Sequence, residues 1–287
     1  MVSCYLKLKE SIGNLSNSEK KVAKYVIDFP QEIISMPIEQ LAQNCGTSKS
    51  AVVRFCKSMG YKGYKEFCIQ LNTDLAQTSP ESVTYRDILP KDDLHSIVAN
   101  VTENNIKSLE NTLNILNYDE LELAVSAIAN ANRVDFYGCG NSGLVALDAQ
   151  NKFMRINKYS NAQVDPHMQI AAAANLTKDD VAVLISYTGE TRDILETMEL
   201  IKRTGATTIS ITRYGKNSLS EMAQIKLFTP SLETLIRSGA KGSRIGQLNL
   251  IDIIFSAVAS REYSEIKIYL DRTSFAYRKK KTTMLEE

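Results

Sequence analysis

The sequence predicts two domains: an all-α domain, followed by an α/β domain of three αβα layers around a parallel sheet. Three observations predict this. A length of 287 residues is long for one domain and comfortable for two. Residues 1–77 carry apolar side chains at helical spacing, with short breaks at Gly13, Pro30, Pro37, Gly46 and Gly60, and show no convincing strand. From Val134 onward, short β-type runs alternate with helical stretches, the pattern of strand–helix–strand units.

Composition bounds the function classes. Hydrophobic residues make up 44% of the chain and charged residues 23%, as in ordinary globular proteins. The net charge is +1, so only local charge can select a partner. Five cysteines at 4, 45, 56, 68 and 139 form no C-x-x-C pair, and two histidines complete the usual metal ligands. No zinc site is expected, nor any other metal or cofactor. Scattered cysteines suit a reducing cytosol, where they act as small buried hydrophobes. The start, Met1 to Lys7, has no apolar signal core, and no apolar run is long enough to span a bilayer. A cytoplasmic protein with no membrane partner is expected.

The elements follow in order. Residues 1–77 form the helical domain. Residues 78–92, with Pro80 and Pro90 among polar neighbours, read as a linker. The second domain covers 93–275. It opens with a helical pattern from Leu94 to Asn130, whose apolar face is Ile97, Val101, Ile106, Leu109, Leu113 and Leu116. Strands are predicted at Val134–Tyr137, Ala162–Val164, Val181–Ile185, Thr208–Ile211 and Ile225–Phe228, with helices at Leu144–Arg155 and Asp193–Thr204 between them. A helix over Ile245–Ala259 places Leu248, Ile251, Ile254, Phe255 and Val258 on one side, for a core first and a dimer interface second. Residues 276–287 read as a charged, disordered tail.

Residues Ile38 to Met59 have helix-turn-helix spacing. Ala42 is small where two helices approach, and Gly46 falls in the turn, where a positive φ is easiest without a Cβ. Val52 and Phe55 form the buried face of the second helix, and Thr47 or Ser48 can cap it. Its outer face carries Lys49, Ser50, Val53, Arg54 and Lys57. Such a helix offers its N-terminal residues to base edges, so Thr47, Ser48, Lys49, Ser50 and Arg54 are candidates for base contact. Lys57, Lys62 and Lys65 suit phosphates. From Gln40 through Lys65 there are five basic residues and no acidic one. That stretch favours nucleic acid over an ordinary solvated helical hairpin.

Two glycine- and hydroxyl-rich loops follow two predicted strands. The first is Gly138-Cys139-Gly140-Asn141-Ser142-Gly143, and the second is Ser186-Tyr187-Thr188-Gly189-Glu190-Thr191. Each would lie at the carboxyl end of a strand and open a helix, whose free N–H groups favour an anion. The first loop formally matches the dinucleotide fingerprint G-x-G-x-x-G, and Asp165 is a late candidate for its ribose acid. The second loop argues for a compact phosphomonoester, because three hydroxyls converge there. Two readings of His167 stay open: a contact to a sugar hydroxyl, or a cap on the following helix. His95 is read as structural.

Residues 1–77 resemble the N-terminal domain of the RpiR family of bacterial regulators, on Leu15–Val26, Ile38–Ala42, Ser48–Lys57 and Gly60–Phe67. The second domain resembles a SIS (sugar isomerase) domain, a flavodoxin-like fold. That match rests on the two loops, on Lys178–Val181, on Gly205–Thr212 and on Asn217–Ser220. This chain has Thr188 where the SIS motif usually has serine, which keeps the hydroxyl and adds a methyl. The resemblance implies operator DNA bound by a homodimer or homotetramer. It also implies that Ser142, Ser186, Thr188 and Thr191 hold a sugar phosphate, with Asn141 near the sugar. Gly140, Tyr187 and Gly189 complete the loops, and Glu233, Ser243 and Arg244 are expected at the pocket or at a subunit interface. No catalytic residue is assigned. The alternatives are a sugar-phosphate isomerase using Glu190, Glu233 or His167 as acid and base, and an interaction module with a vestigial pocket.

Overall fold

The computed structural model describes residues 8, 15–34, 36–77, 92–230, 241–261 and 263–282. They form two compact units. The first comprises Met1–Leu116 with Tyr214–Lys216 and Thr229–Ser243; the second comprises Asn117–Arg213, Asn217–Phe228 and Arg244–Glu287.

The first unit begins with α1 (Asn17–Asp28), α2 (Pro30–Ile33), α3 (Ile38–Asn44), α4 (Lys49–Ser58) and α5 (Tyr64–Gln77). A capping box starts α1: the Ser16 amide donates to Glu19 at 3.0 Å, and the Ser16 side chain caps the third helical amide in return. Val22, Ala23 and Val26 pack with Ile33, Leu41, Ala42, Val52, Phe55, Phe67 and Leu71 in one core. Phe55 and Phe67 meet edge to face at 5.4 Å. Burial in this core pushes the Cys45 thiol up to about 11, so it stays neutral, as the cysteine pattern implied.

Helix α6 (Leu94–Ile115) completes the described helices of this unit. The single helical pattern from Leu94 to Asn130 is two helices. It breaks at Leu116 and Asn117, and the Asn117 side chain caps α7 (Tyr118–Asn130) by accepting from the amides of Asp119 and Glu120. The expected apolar face of α6 is covered only in part: Leu116 is buried and Ile97 and Val101 are half-buried. Ile106, Leu109 and Leu113 are exposed, and Lys107, Ser108, Thr112 and Ile115 are buried instead.

The second unit is a sheet of β1 (Val134–Gly138), β2 (Ser160–Gln163), β3 (Val181–Ile185), β4 (Thr207–Arg213) and β5 (Ile225–Thr229), in the order β2-β1-β3-β4-β5. β1 pairs in parallel with β2 and β3, and β3 pairs in parallel with β4. β1 and β3 are buried along their whole length, as central strands covered on both faces must be. The intervening helices are α8 (Asn141–Met154), α9 (Pro166–Ala173), α10 (Arg192–Thr204) and α11 (Ser218–Met222). Helix α10 buries Ile194, Thr197, Met198 and Ile201, one face at helical spacing, and ends at Gly205 with φ +82. The chain continues as α12 (Lys241–Arg261) and α13 (Tyr263–Thr282).

Two expectations shift. The second strand runs from Ser160 to Gln163, so Val164 lies beyond it. The charged tail begins inside a helix: α13 continues to Thr282 through Arg278-Lys279-Lys280-Lys281. Lysine and arginine are good helix formers, and no Gly or Pro intervenes.

Strand order reverses beside β1. That makes the carboxyl ends of β1 and β3 the topological switch point, where open α/β sheets bind ligands.

Candidate functional site

Gly138 and Ile185 are register partners in adjacent strands, so the two loops leave the sheet side by side. Each enters a long helix at once: α8 begins at Asn141 and α10 at Arg192. The free amides of two helix N-termini therefore flank one place at the sheet edge.

The glycines make the first loop possible. A Cβ on Gly138 would meet the Ser142 carbonyl oxygen at 2.5 Å, a backbone atom that cannot rotate away. Gly140 precedes the helix at φ +56. Ser142 is buried on the first turn of α8, and Asn141 beside it is exposed.

The second loop turns through Gly189, whose amide donates to the Ser186 carbonyl at 3.1 Å. Ser186 is buried, while Tyr187, Thr188 and Thr191 are half-buried. The hydroxyls of Ser186 and Thr191 share a hydrogen bond of 2.9 Å, and the Glu190 amide donates to Thr188 Oγ1 at 3.2 Å. Both Glu190 carboxylate oxygens are engaged: they accept from the Ser218 amide at 2.8 Å and from the Ser218 hydroxyl at 2.7 Å. Glu190 thus braces the loop, which weakens its candidacy as a catalytic base.

The structure adds three residues that sequence reasoning missed. Asn217 lies against Gly189, caps α11 by accepting from the Ser220 amide at 2.9 Å, and donates to Thr212 Oγ1 at 3.0 Å. Gln247 on α12 is buried with its amide group 3.5 Å from Ser142 Oγ. Gln169 on α9 donates to the carbonyls of Gly138 at 3.0 Å and Gln163 at 2.9 Å, tying the ends of β1 and β2 together. Its Oε1 is buried without a hydrogen-bond partner among the described residues. Only Asn217 left a sequence trace, in the string Asn217–Ser220. The other two act across long sequence separations.

The remaining candidates are scattered. Asp165, not His167, caps α9, accepting from the Met168 amide at 3.0 Å; His167 is exposed one residue into that helix. Ser243 is buried and Arg244 exposed on the first turn of α12. Glu233 lies outside the described residues. Two surface hollows of about 320 and 400 Å³ lie at the amino ends of the strands, around Asn157 to Tyr159 and Lys178 to Val181. Neither includes a residue of the two loops, so hollow volume and switch-point chemistry disagree. The switch point is the better guide, because donors converge there.

In the first unit, α3, the turn Cys45–Ser48 and α4 form the helix-turn-helix. Gly46 adopts φ +58, and Ala42, Val52 and Phe55 are buried. Ser48 is the cap, accepting from the Ala51 amide at 3.2 Å. It also hydrogen-bonds Ser50 at 2.9 Å. Lys49, Ser50, Arg54, Lys57, Lys62 and Lys65 are exposed, and Thr47 is half-buried. Glu39, one residue before the acid-free stretch, reaches Lys49 at 2.6 Å. That bond holds the Glu39 carboxyl below the usual carboxylate range. At neutral pH it occupies one of the five basic groups.

Fold and loops define a helix-turn-helix protein joined to a SIS-type domain. Residues 3–78 match the helix-turn-helix domain of the rpiR family, and residues 127–256 match the SIS domain. A protein of Caldanaerobacter subterraneus subsp. tengcongensis is 40% identical over 267 residues, covering 93% of this chain and 94% of the relative. YbbH of Bacillus subtilis is 39% identical over 263 residues, covering 91% and 92%. Both are named as uncharacterized HTH-type transcriptional regulators. The structure of Vibrio vulnificus NanR, described as complexed with ManNAc-6P, shares the fold at a TM-score of 0.60 and 24% identity, covering 95% of this chain and 97% of NanR. The chain belongs to the RpiR family of HTH-type transcriptional regulators carrying a SIS domain. Among the described residues, no helix is long and apolar enough to cross a membrane.

Proposed function

We propose that this regulator binds operator DNA through α4 and its turn, and that a phosphorylated sugar bound at the Gly138–Gly143 and Ser186–Thr191 loops sets its DNA affinity. The observation that carries the sugar-phosphate half is the pairing of Gly138 with Ile185, which sets two hydroxyl-bearing helix N-termini beside each other. A phosphate dianion gains hydrogen bonds from free amides and from Ser142, Ser186, Thr188 and Thr191, and no basic side chain is required. Asn141 and His167 are the candidates for the sugar itself. The NanR complex supports the same class of ligand.

Turnover is not part of this reading. Aldose–ketose isomerisation needs a base near C1 and C2 and a second acid. Of the three acid–base candidates, Glu190 is bound up with Ser218, and His167 is exposed on α9. A bound sugar acts instead by favouring one of two arrangements that differ in DNA affinity.

The test is a fluorescence-anisotropy titration of the full chain against the DNA upstream of its own gene, at fixed salt. It is run with and without a panel of hexosamine, hexose, pentose and N-acetylmuramate phosphates. Specific binding that one of these sugars shifts is expected. No specific binding at modest salt, or turnover of a phosphosugar, would overturn the reading.

A further inference from the structure

Two buried glutamines hold the first loop, and they do so differently. Gln169 donates to the carbonyls of Gly138 and Gln163, at 3.0 and 2.9 Å. A carbonyl only accepts, so that contact has one possible sense. Gln247 on α12 is 2% exposed and meets a hydroxyl instead. Ser142 Oγ lies 3.5 Å from its Oε1 and 3.5 Å from its Nε2. Among the described residues, the Gln247 side chain makes no other hydrogen bond. Both distances stand at the outer limit of a hydrogen bond, whose usual length is about 2.7–3.0 Å. The amide straddles the hydroxyl and commits to neither sense. A buried amide so loosely paired forgoes most of a hydrogen bond.

A phosphate at the start of α8 removes the ambiguity. At neutral pH a phosphomonoester is largely a dianion, and its outer oxygens then only accept. The Ser142 hydroxyl has one proton, which it donates to the anion. What remains on Oγ is lone pairs, so its partner on α12 must donate. Nε2 of Gln247 does that; Oε1 would set lone pair against lone pair. The result is a chain in which the Gln247 amide donates to Ser142 Oγ and the Ser142 hydroxyl donates to the phosphate. Each bond in such a chain polarises the next, and the last is charge-assisted.

We propose that Gln247 is a positioning residue for the phosphate: it fixes the Ser142 hydroxyl as a donor and closes on it when the anion arrives. The proposal rests on the phosphate reading of the two loops and adds to it a residue 105 positions away from Ser142. It also makes α12 sensitive to occupancy. The bound state requires one particular end of the Gln247 amide to face Ser142, and the free state does not.

The experiment reads thermal midpoints of the full chain, without DNA, as inorganic phosphate replaces chloride at constant ionic strength. It is run at mildly alkaline pH, where inorganic phosphate is a dianion too. Specific stabilisation follows mass action and yields a phosphate affinity for each variant, while the phosphate-free midpoint reports folding. Phosphate also stabilises proteins by exclusion from their surface, and the Ser186→Ala, Thr188→Ala variant supplies that baseline. Gln247→Met nearly keeps the side-chain length and removes its donors. It is expected to weaken phosphate about five-fold, the worth of one hydrogen bond. Gln247→Glu, which only accepts and carries negative charge, is expected to weaken it further. In a Ser142→Ala background no hydroxyl is left to orient, so Gln247→Met is expected to cost nothing more. A residue that merely supports the fold would cost the same factor in both backgrounds. Gln247→Leu repeats the cycle with a different apolar shape. Equal losses in the two backgrounds, an undiminished affinity in Gln247→Met, or a Gln247→Glu that binds phosphate as well as the wild type overturns the proposal. A wild type stabilised no more than the baseline variant overturns the phosphate reading itself, whereas equal losses on a phosphate-binding wild type sink only the role of Gln247.

Discussion

Replacing Gly189 with alanine tests the architecture of the second loop. Gly189 has φ +69, and a Cβ there would lie 2.0 Å from Asn217 Oδ1 and 2.3 Å from its Cγ. Asn217 is buried and already committed. It caps α11 through the Ser220 amide and donates to Thr212 Oγ1. Displacing it costs about 1 kcal/mol for the cap and about 1 kcal/mol for the buried hydrogen bond. The left-handed backbone adds about 1–2 kcal/mol for a residue with a Cβ. The expected loss is about 3–4 kcal/mol, which for a domain of this size lowers the midpoint by roughly 6–16 °C. Gly46→Ala is the control. Its φ is +58, but an added Cβ meets nothing within 4 Å, so only the backbone cost of about 1–2 kcal/mol applies. The assay is scanning calorimetry of both variants, with the two domain transitions resolved. If the SIS-domain transition of Gly189→Ala falls within 2 °C of the wild type, the Asn217 brace is not what holds this loop.

Three further outcomes are expected. Arg54→Ala should weaken operator binding by about 1–3 kcal/mol if Arg54 reads a base edge, and leave the sugar-induced thermal shift unchanged; a changed sugar affinity would contradict the division of labour. Ser186→Ala combined with Thr188→Ala should abolish the thermal shift given by a phosphosugar while DNA binding without sugar persists, since ligand stabilisation follows mass action. Glu39→Gln should raise operator affinity a few-fold, because it frees Lys49 for the base edge and removes a negative charge beside the DNA. The Glu39 carboxyl is held low by Lys49, so it is ionised at neutral pH and its amide replacement frees the lysine. An unchanged operator affinity would mean that Lys49 does not approach DNA.

The central strands were legible because burial on both faces leaves a continuous apolar run, and Val181–Ile185 is such a run. The edge strand was not. Ser160-Asn161-Ala162-Gln163 has little strand character of its own, and its register against Val134–Tyr137 is what makes it β. Reasoning from residue type therefore slid it toward Val164. The loops were legible for a different reason: glycine and hydroxyl residues at strand ends announce a turn into a helix. What holds those loops was hidden. Ser218 lies 28 residues from Glu190, and Gln247 lies 105 residues from Ser142. No local pattern encodes such contacts, because they exist only once the sheet order is set.

Helix α6 shows the complementary limit. Periodicity says which residues share a face, and it does so correctly here for Ile106, Leu109 and Leu113. It does not say what covers that face. Ile106, Leu109 and Leu113 are exposed, while Lys107, Ser108 and Thr112 on the same helix are buried. An apolar stripe left in water lowers solubility unless something covers it.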